Sequence, residues 1–198
     1  IINSIKILDL SKKELSQLAM KFYNDTYLVD QNGCSSPQLV LWYGDSIIDA
    51  KKKFWNALHE IVKEKYNLPE IAAVEKFNLL FENILSEKNV ISEKRYGNSI
   101  YTVLIKKLDE KIHRHRGKWG FFYEYKLKNF SHIKKIINKK IQTITYFGFE
   151  KNKFIDLINE NNINGIDRVV PFGQALDLGL IWDGYDIISS LTRIVEIR

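Results

Sequence analysis

Apolar residues recur along this chain in two rhythms, one of period two and one of period near 3.6. In "SIKILDL" (4–10) they alternate with polar residues as in a half-buried strand. In "SKKELSQLAMKFYNDTYLV" (11–29), Leu15, Leu18, Ala19 and Phe22 follow helical spacing. Ser11 with Glu14 three residues on is the capping-box pair that opens such a helix. "QLVLWYG" (38–44), between Pro37 and Gly44, predicts a buried strand. "DSIIDAKKKFWNALHEIVKEKY" (45–66) predicts a helix capped by Asp45 or Ser46, with Ile48, Phe54, Trp55, Leu58, Ile61 and Val62 on or near one face. Asn67 and Pro69 end it, and Pro69 sits where the first turn of a second helix over 68–89 tolerates it.

After "KRYGNSI" the pattern changes. "YTVLIKKL" (101–108) and "KWGFFYEYKL" (118–127) read as strands, "SHIKKIINKK" (131–140) as helix, "IQTITYFGF" (141–149) as strand, "EKNKFIDLINENN" (150–162) as helix and "DRVVPFG" (167–173) as strand. "DGYDIISSLTRIVEIR" (183–198) begins helical and ends extended. Alternating strands and helices predict an α/β protein with a largely parallel sheet covered by helices. No repeat, low-complexity tract or linker divides the 198 residues, so one domain is expected.

Composition narrows this little. Hydrophobic residues make up 45% of the chain and aromatic ones 13%, too many for a disordered protein. The net charge of +6 comes from cations interspersed with 24 acidic residues, which argues against a nucleic-acid partner. No apolar run approaches the roughly 20 residues that span a bilayer, and one cysteine forms no internal disulfide, so a cytoplasmic protein is expected. The start at Ile1, inside an apolar alternation, reads as a piece of a longer chain.

Three groups could carry chemistry. Cys34 falls in "DQNGCSSP", a turn between helix and strand. Gly33 would let the backbone bend or approach a ligand, and a helical turn opened by Ser35, Ser36 and Pro37 would supply N–H groups to a thiolate or an oxyanion. A cysteine is also a small apolar residue that fills core gaps, and the local residues leave both readings open. His113 and His115 in "HRHRG" share one face of an extended segment, but two ligands make no metal site, so no metal is expected and a solvated basic turn is the simpler reading. Asp177 and Asp183 could act as acid and base, or serve as turn residues, which the glycines around them favour. The pair Gly117 and Gly120 is no phosphate loop.

"DQNGCSSPQLVLW" and "DRVVPFGQALDLGLIWDGYDIISSLTRIVEIR" together resemble the acyl-CoA reductases of the LuxC type, fatty-acyl reductases of the aldehyde dehydrogenase superfamily known from bacterial luminescence. The resemblance spans essentially the whole chain. It implies a three-layer α/β/α catalytic domain of aldehyde dehydrogenase type over 1–198, with a nucleotide-binding domain upstream. It makes Cys34 the nucleophile, with Asn32 and Gly33 beside the substrate. The implied reaction is NADPH-dependent reduction of a long-chain acyl thioester, acyl-CoA or acyl-protein, to the fatty aldehyde through an acyl-Cys34 intermediate. The resemblance also implies that the full-length protein forms homo-oligomers and that residues 1–198 are inactive alone. At "HRHRGKWGFF" the chain is basic where aldehyde dehydrogenases carry an acidic residue for the nicotinamide ribose, so no cofactor contact is assigned. Two other readings compete: a cysteine acyltransferase or thioesterase with His59, His113, His115 or His132 as base, and a basic interaction module in which Cys34 is only packed.

Overall fold

The computed structural model describes residues 1–86, 89–161, 163 and 165–197. A five-stranded sheet forms its centre, ordered β1 (Ile2–Asn3), β2 (Leu39–Tyr43), β5 (Phe121–Leu127), β4 (Ile100–Ile105), β3 (Val90–Tyr96). β1, β2, β5 and β4 are parallel, and β3 adds to the edge in antiparallel fashion. A second parallel pair, β6 (Thr143–Tyr146) and β7 (Arg168–Pro171), continues from β1, where the Phe147 amide donates to the Ile1 carbonyl at 2.9 Å. The expected mainly parallel sheet is present.

Helices cover both faces. α1 (Ser4–Leu8), α2 (Lys12–Thr26) and α3 (Ile47–Lys65) lie on one side. α4 (Glu70–Ser86), α5 (Asn152–Asn161) and two 3-10 turns, Ile112–Arg114 and Phe130–Lys135, lie on the other. The period-two pattern of the strands sorts their side chains between these layers. Val40, Trp42, Phe122 and Ile100 join Phe22, Phe54, Trp55 and Leu58 on the first side. Leu41, Tyr101, Val103, Phe121 and Tyr123 join Ile133, Ile136, Ile144 and Phe154 on the second.

One charge lies within the first layer. The buried Glu124 carboxylate accepts from Trp42 Nε1 and Trp55 Nε1, both at 2.8 Å, and pairs with Lys51 Nζ at 2.6 Å. These three partners, two N–H donors and an ammonium, offset the cost of burying the carboxylate. On the other side, buried Lys76 of α4 donates to the carbonyls of Asn98, Ser99 and Trp119, fastening the β3–β4 turn to the approach to β5. Burial pushes its ammonium down to about 7.

The capping box forms as expected: Glu14 N donates to Ser11 Oγ and Ser11 N to Glu14 Oε2. Elsewhere the sequence expectations need correction. Residues 4–8 are helix, not strand. Over five residues the two rhythms coincide, and Ser4 Oγ donating to the Asp45 carbonyl at 2.6 Å turns the chain off the sheet after Asn3. α3 starts at Ile47 after Ser46, whose backbone is left-handed and whose side chain makes no cap bond, and Ile48 points outward, 71% exposed. β3 escapes the pattern because it is a sheet edge of exposed charges, "SEKR", in place of an apolar alternation. The expected helix at 131–140 is a six-residue 3-10 turn, since the Asn129 and Asn138 carboxamides bind Ser131 N and Lys140 N and favour turns over a continuing helix. Near the end come a short hairpin, β8 (Ile181–Trp182) and β9 (Tyr185–Asp186), and a five-residue helix, α6 (Ile187–Leu191).

Candidate active site

The turn that carries Cys34 follows α2 and a 3-10 turn over Tyr27–Val29. Its reversal is made by Asp30 and Gln31, two consecutive non-glycine residues at φ 52° and 60°. Such conformations cost on the order of 1 kcal/mol each and persist where surrounding bonds impose them. Here the bonds come from Gln31, which is 1% exposed. Its Nε2 donates to the carbonyls of Pro37 and Phe121, both at 2.9 Å, and its Oε1 accepts from Gly120 N at 3.0 Å and Phe121 N at 3.1 Å. Gln38 adds a second clasp, donating to the Gln31 carbonyl and accepting from Gly117 N. The chain between Gln31 and Pro37 is thus held at both ends, and Cys34 projects from its middle.

Cys34 is exposed, so it fills no core gap. Among the described residues no acceptor takes its backbone N–H, which leaves that donor available to an oxyanion. No helix begins after it, contrary to the expected helical turn at Ser35–Pro37: Ser36 N closes back on the Gly33 carbonyl at 3.1 Å and β2 follows. Gly33 does not make the bend either. It gives room, since a Cβ there would stand 2.9 Å from Ser36 Oγ and 3.4 Å from Leu176. Gly120 is constrained more strictly, with φ 85° and its Cβ position filled by Tyr27 Oη and the Ser99 carbonyl.

Leu176 belongs to a second supporting segment. Buried Asp25 of α2 accepts from Gly173 N at 2.7 Å and Ala175 N at 2.9 Å, fixing the turn after β7 against the cysteine turn. Burial pushes its carboxyl up to about 6, against the opposing pull of the two N–H groups. Arg168 stiffens the same segment, donating to the carbonyls of Gln174, Ala175 and Asp177 and lying 4.6 Å over the Trp182 ring.

Cys34 lines the edge of a cavity of about 150 Å³ on the second side of the sheet. Its buried wall is aliphatic, with Leu41, Ile112, Ile133, Ile136 and Ile144. Arg116 and Lys140 are the exposed cations of its lining, and no carboxylate belongs to it. Ser36 Oγ, two residues after Cys34, and Thr143 Oγ1 on β6 are polar atoms of the lining that are buried without a hydrogen bond.

The structure therefore brings together Cys34, His113 and His115, and leaves His59 and His132 off this cavity. His113 Nδ1 lies 2.9 Å from the Glu110 carbonyl and its Nε2 3.4 Å from Lys140 Nζ. His115 meets the Tyr123 ring edge-on at 5.0 Å. Among the described residues no three His, Cys, Asp or Glu side chains gather as metal ligands. Asp177 and Asp183 serve turns: Asp183 has φ 51° and accepts from Gln142 at 2.5 Å. Asn32 and Gly33 precede Cys34 in the held turn, Asn32 is exposed, and neither belongs to the cavity lining. Sequence reasoning missed Gln31, Gln38, Asp25 and Arg168, whose partners lie up to 150 residues away along the chain.

No protein-family profile matches this chain, and no curated protein sequence is significantly similar to it. Solved structures are. A protein of Sinorhizobium meliloti 1021 assigned as a methylmalonate-semialdehyde dehydrogenase, in complex with NAD, superposes with a TM-score of 0.54 at 13% identity over 81% of this chain. An NAD-dependent aldehyde dehydrogenase of Sinorhizobium meliloti gives 0.51 at 14% over 80%. Aldehyde dehydrogenase 21 of Physcomitrella patens, with its product succinate, gives 0.50 at 15% over 85%. The chain spans 37%, 34% and 37% of their respective lengths. Among the described residues no helix is long and apolar enough to cross a membrane. What these likenesses establish is the fold, the mixed α/β architecture of an aldehyde dehydrogenase-type catalytic domain.

Proposed function

We propose that residues 1–198 are the cysteine-bearing domain of an oxidoreductase that reduces a fatty acyl thioester to the aldehyde, in the manner of the LuxC-type reductases. The observation that carries this reading is the exposed Cys34, held on a braced turn at the edge of an aliphatic cavity, on this fold. The Cys34 thiolate attacks the thioester carbonyl, a carbon–sulfur bond forms at Sγ, and the carrier thiol leaves with the proton that Cys34 gave up. During attack the Cys34 N–H faces the developing oxyanion, and Ser36 Oγ, with no partner of its own, supplies a second donor. NADPH, when bound, supplies the hydride that takes the acyl group to the aldehyde level. No carboxylate in the cavity lining suits ribose hydroxyls, so cofactor binding is assigned to a nucleotide-binding domain upstream. Asn32 and Gly33 are assigned to the substrate's path because they lead directly into Cys34 on the same turn.

Incubation with palmitoyl-CoA or octanoyl-CoA, followed by intact mass measurement, tests the reading. One acyl group should appear on the wild type and none on Cys34→Ala. A wild type that stays unmodified over hours, with either thioester, contradicts it. An adduct that discharges by hydrolysis without nicotinamide favours the thioesterase reading, for which His113 and His115 stand on the same cavity.

A further inference from the structure

We infer that the isoleucine-lined cavity beside Cys34 seats the first stretch of an unbranched alkyl chain and encloses about six carbons of it, with the remainder of a longer chain left outside. The inference rests on the proposed role of Cys34 and narrows its substrate. The buried wall is built mainly of Ile112, Ile133, Ile136, Ile144 and Leu41, with Ser35, Ser36 and Thr145 as its buried polar members. It carries no Phe, Tyr or Trp face, the imidazoles of His113 and His115 being the aromatic rings of the described lining. An aliphatic cavity near 150 Å³ is the size known to take benzene, hence about six carbons. An empty apolar cavity forfeits dispersion contacts on every side, and an alkyl chain restores them without needing a hydrogen bond.

Its polar features sit where a chain bearing a carbonyl would need them. Ser36 is 5% exposed, and its Oγ is buried without a partner in the residue next but one to Cys34. That hydroxyl can donate to an acyl oxygen at the head of the chain. Arg116 and Lys140 are exposed members of the lining, cations that can pair with an anionic carrier or a carboxylate.

Cys34 is the only thiol, so its rate of alkylation by iodoacetamide reports occupancy without any turnover. Butanoate, hexanoate, octanoate and decanoate serve as probes, with the full chain. Protection should tighten roughly fourfold per added carbon while carbons are being enclosed, then level off beyond about six carbons. Ile136→Trp should abolish the protection by hexanoate, read as the ratio of alkylation rates without and with hexanoate in the same variant. If that variant does not fold, Ile137→Trp, at a half-buried lining position, should weaken it at least fivefold. Protection that is absent at every length, that keeps tightening through decanoate, or that is unchanged in a folded variant overturns the inference. Acylation of Cys34 without alkanoate protection would refute the cavity's role alone. Protection without acylation would refute the proposed reaction alone.

Discussion

The two sides of the central sheet are built differently. On the side of α2 and α3, aromatic rings dominate: Phe22 contacts Phe54, Trp55, Phe122 and Phe172 at centroid distances of 5.2 to 5.9 Å, around the Glu124 network. On the side of Cys34 two short 3-10 turns share the cover with α4 and α5, isoleucines from these turns line the stretch beside the thiol, and a cavity remains. Regular helices present whole ridges to a sheet and fill the space beneath them. Irregular turns do not, and the space they leave lies against the reactive group. The first side holds the scaffold rigid, and the second keeps room for a ligand.

The largest test of that contrast is Glu124→Ala. It leaves two indole N–H groups and the Lys51 ammonium without their acceptor, and should lower stability by about 4 kcal/mol in urea unfolding. A loss under about 1 kcal/mol would mean the first side is not the rigid one. Gln31→Leu keeps approximate size but removes the bracing of the cysteine turn, and about 3 kcal/mol should be lost. The same variant should broaden the reactivity of Cys34 toward bulky thiol reagents, which a purely global loss of stability would not do below the unfolding midpoint.

Asp25 gives a pH test. Its carboxyl, about 6 when folded against 3.8 unfolded, keeps its proton longer in the native protein, so native stability falls as pH rises from about 4 to 6 and is level above. Asp25→Asn removes that slope. Relative to the variant, the wild type should lose roughly 2 to 3 kcal/mol between pH 4 and pH 7, read from urea midpoints. A slope of the opposite sign would mean that the N–H groups of Gly173 and Ala175 outweigh burial. The smallest effect is expected from Cys34→Ser, within about 0.5 kcal/mol, because the side chain is exposed. A larger loss would return Cys34 to a packing role.

The sequence pattern disclosed what depends on local rhythm. α2 with its capping box, α3, β2, β4, β5 and α5 all lie where apolar spacing puts them, because each buries a continuous face. Cys34 was legible from its neighbours, since a run such as "DQNG" marks a turn whatever surrounds it. What stayed hidden depends on distant partners. Nothing near Gln31 announces that its carboxamide reaches the start of β5, 90 residues on, and nothing near Asp25 announces Gly173 and Ala175. β3 was hidden for the opposite reason, since an edge strand with charged faces has no apolar rhythm to read. The cavity was hidden because it is made by the failure of 131–140 to continue as a helix.

The Gln31 carboxamide has one further consequence. With two N–H donors and a doubly accepting oxygen in one plane, it acts like an extra peptide group inserted between the starts of β2 and β5. Gly120 N–H, pointing out of a loop, has Gln31 Oε1 as its acceptor. In hydrogen exchange that amide should behave as a core amide, opening only with the whole sheet. The base of the cysteine turn then shares the sheet's own lifetime, and local fraying does not reach the thiol's mount.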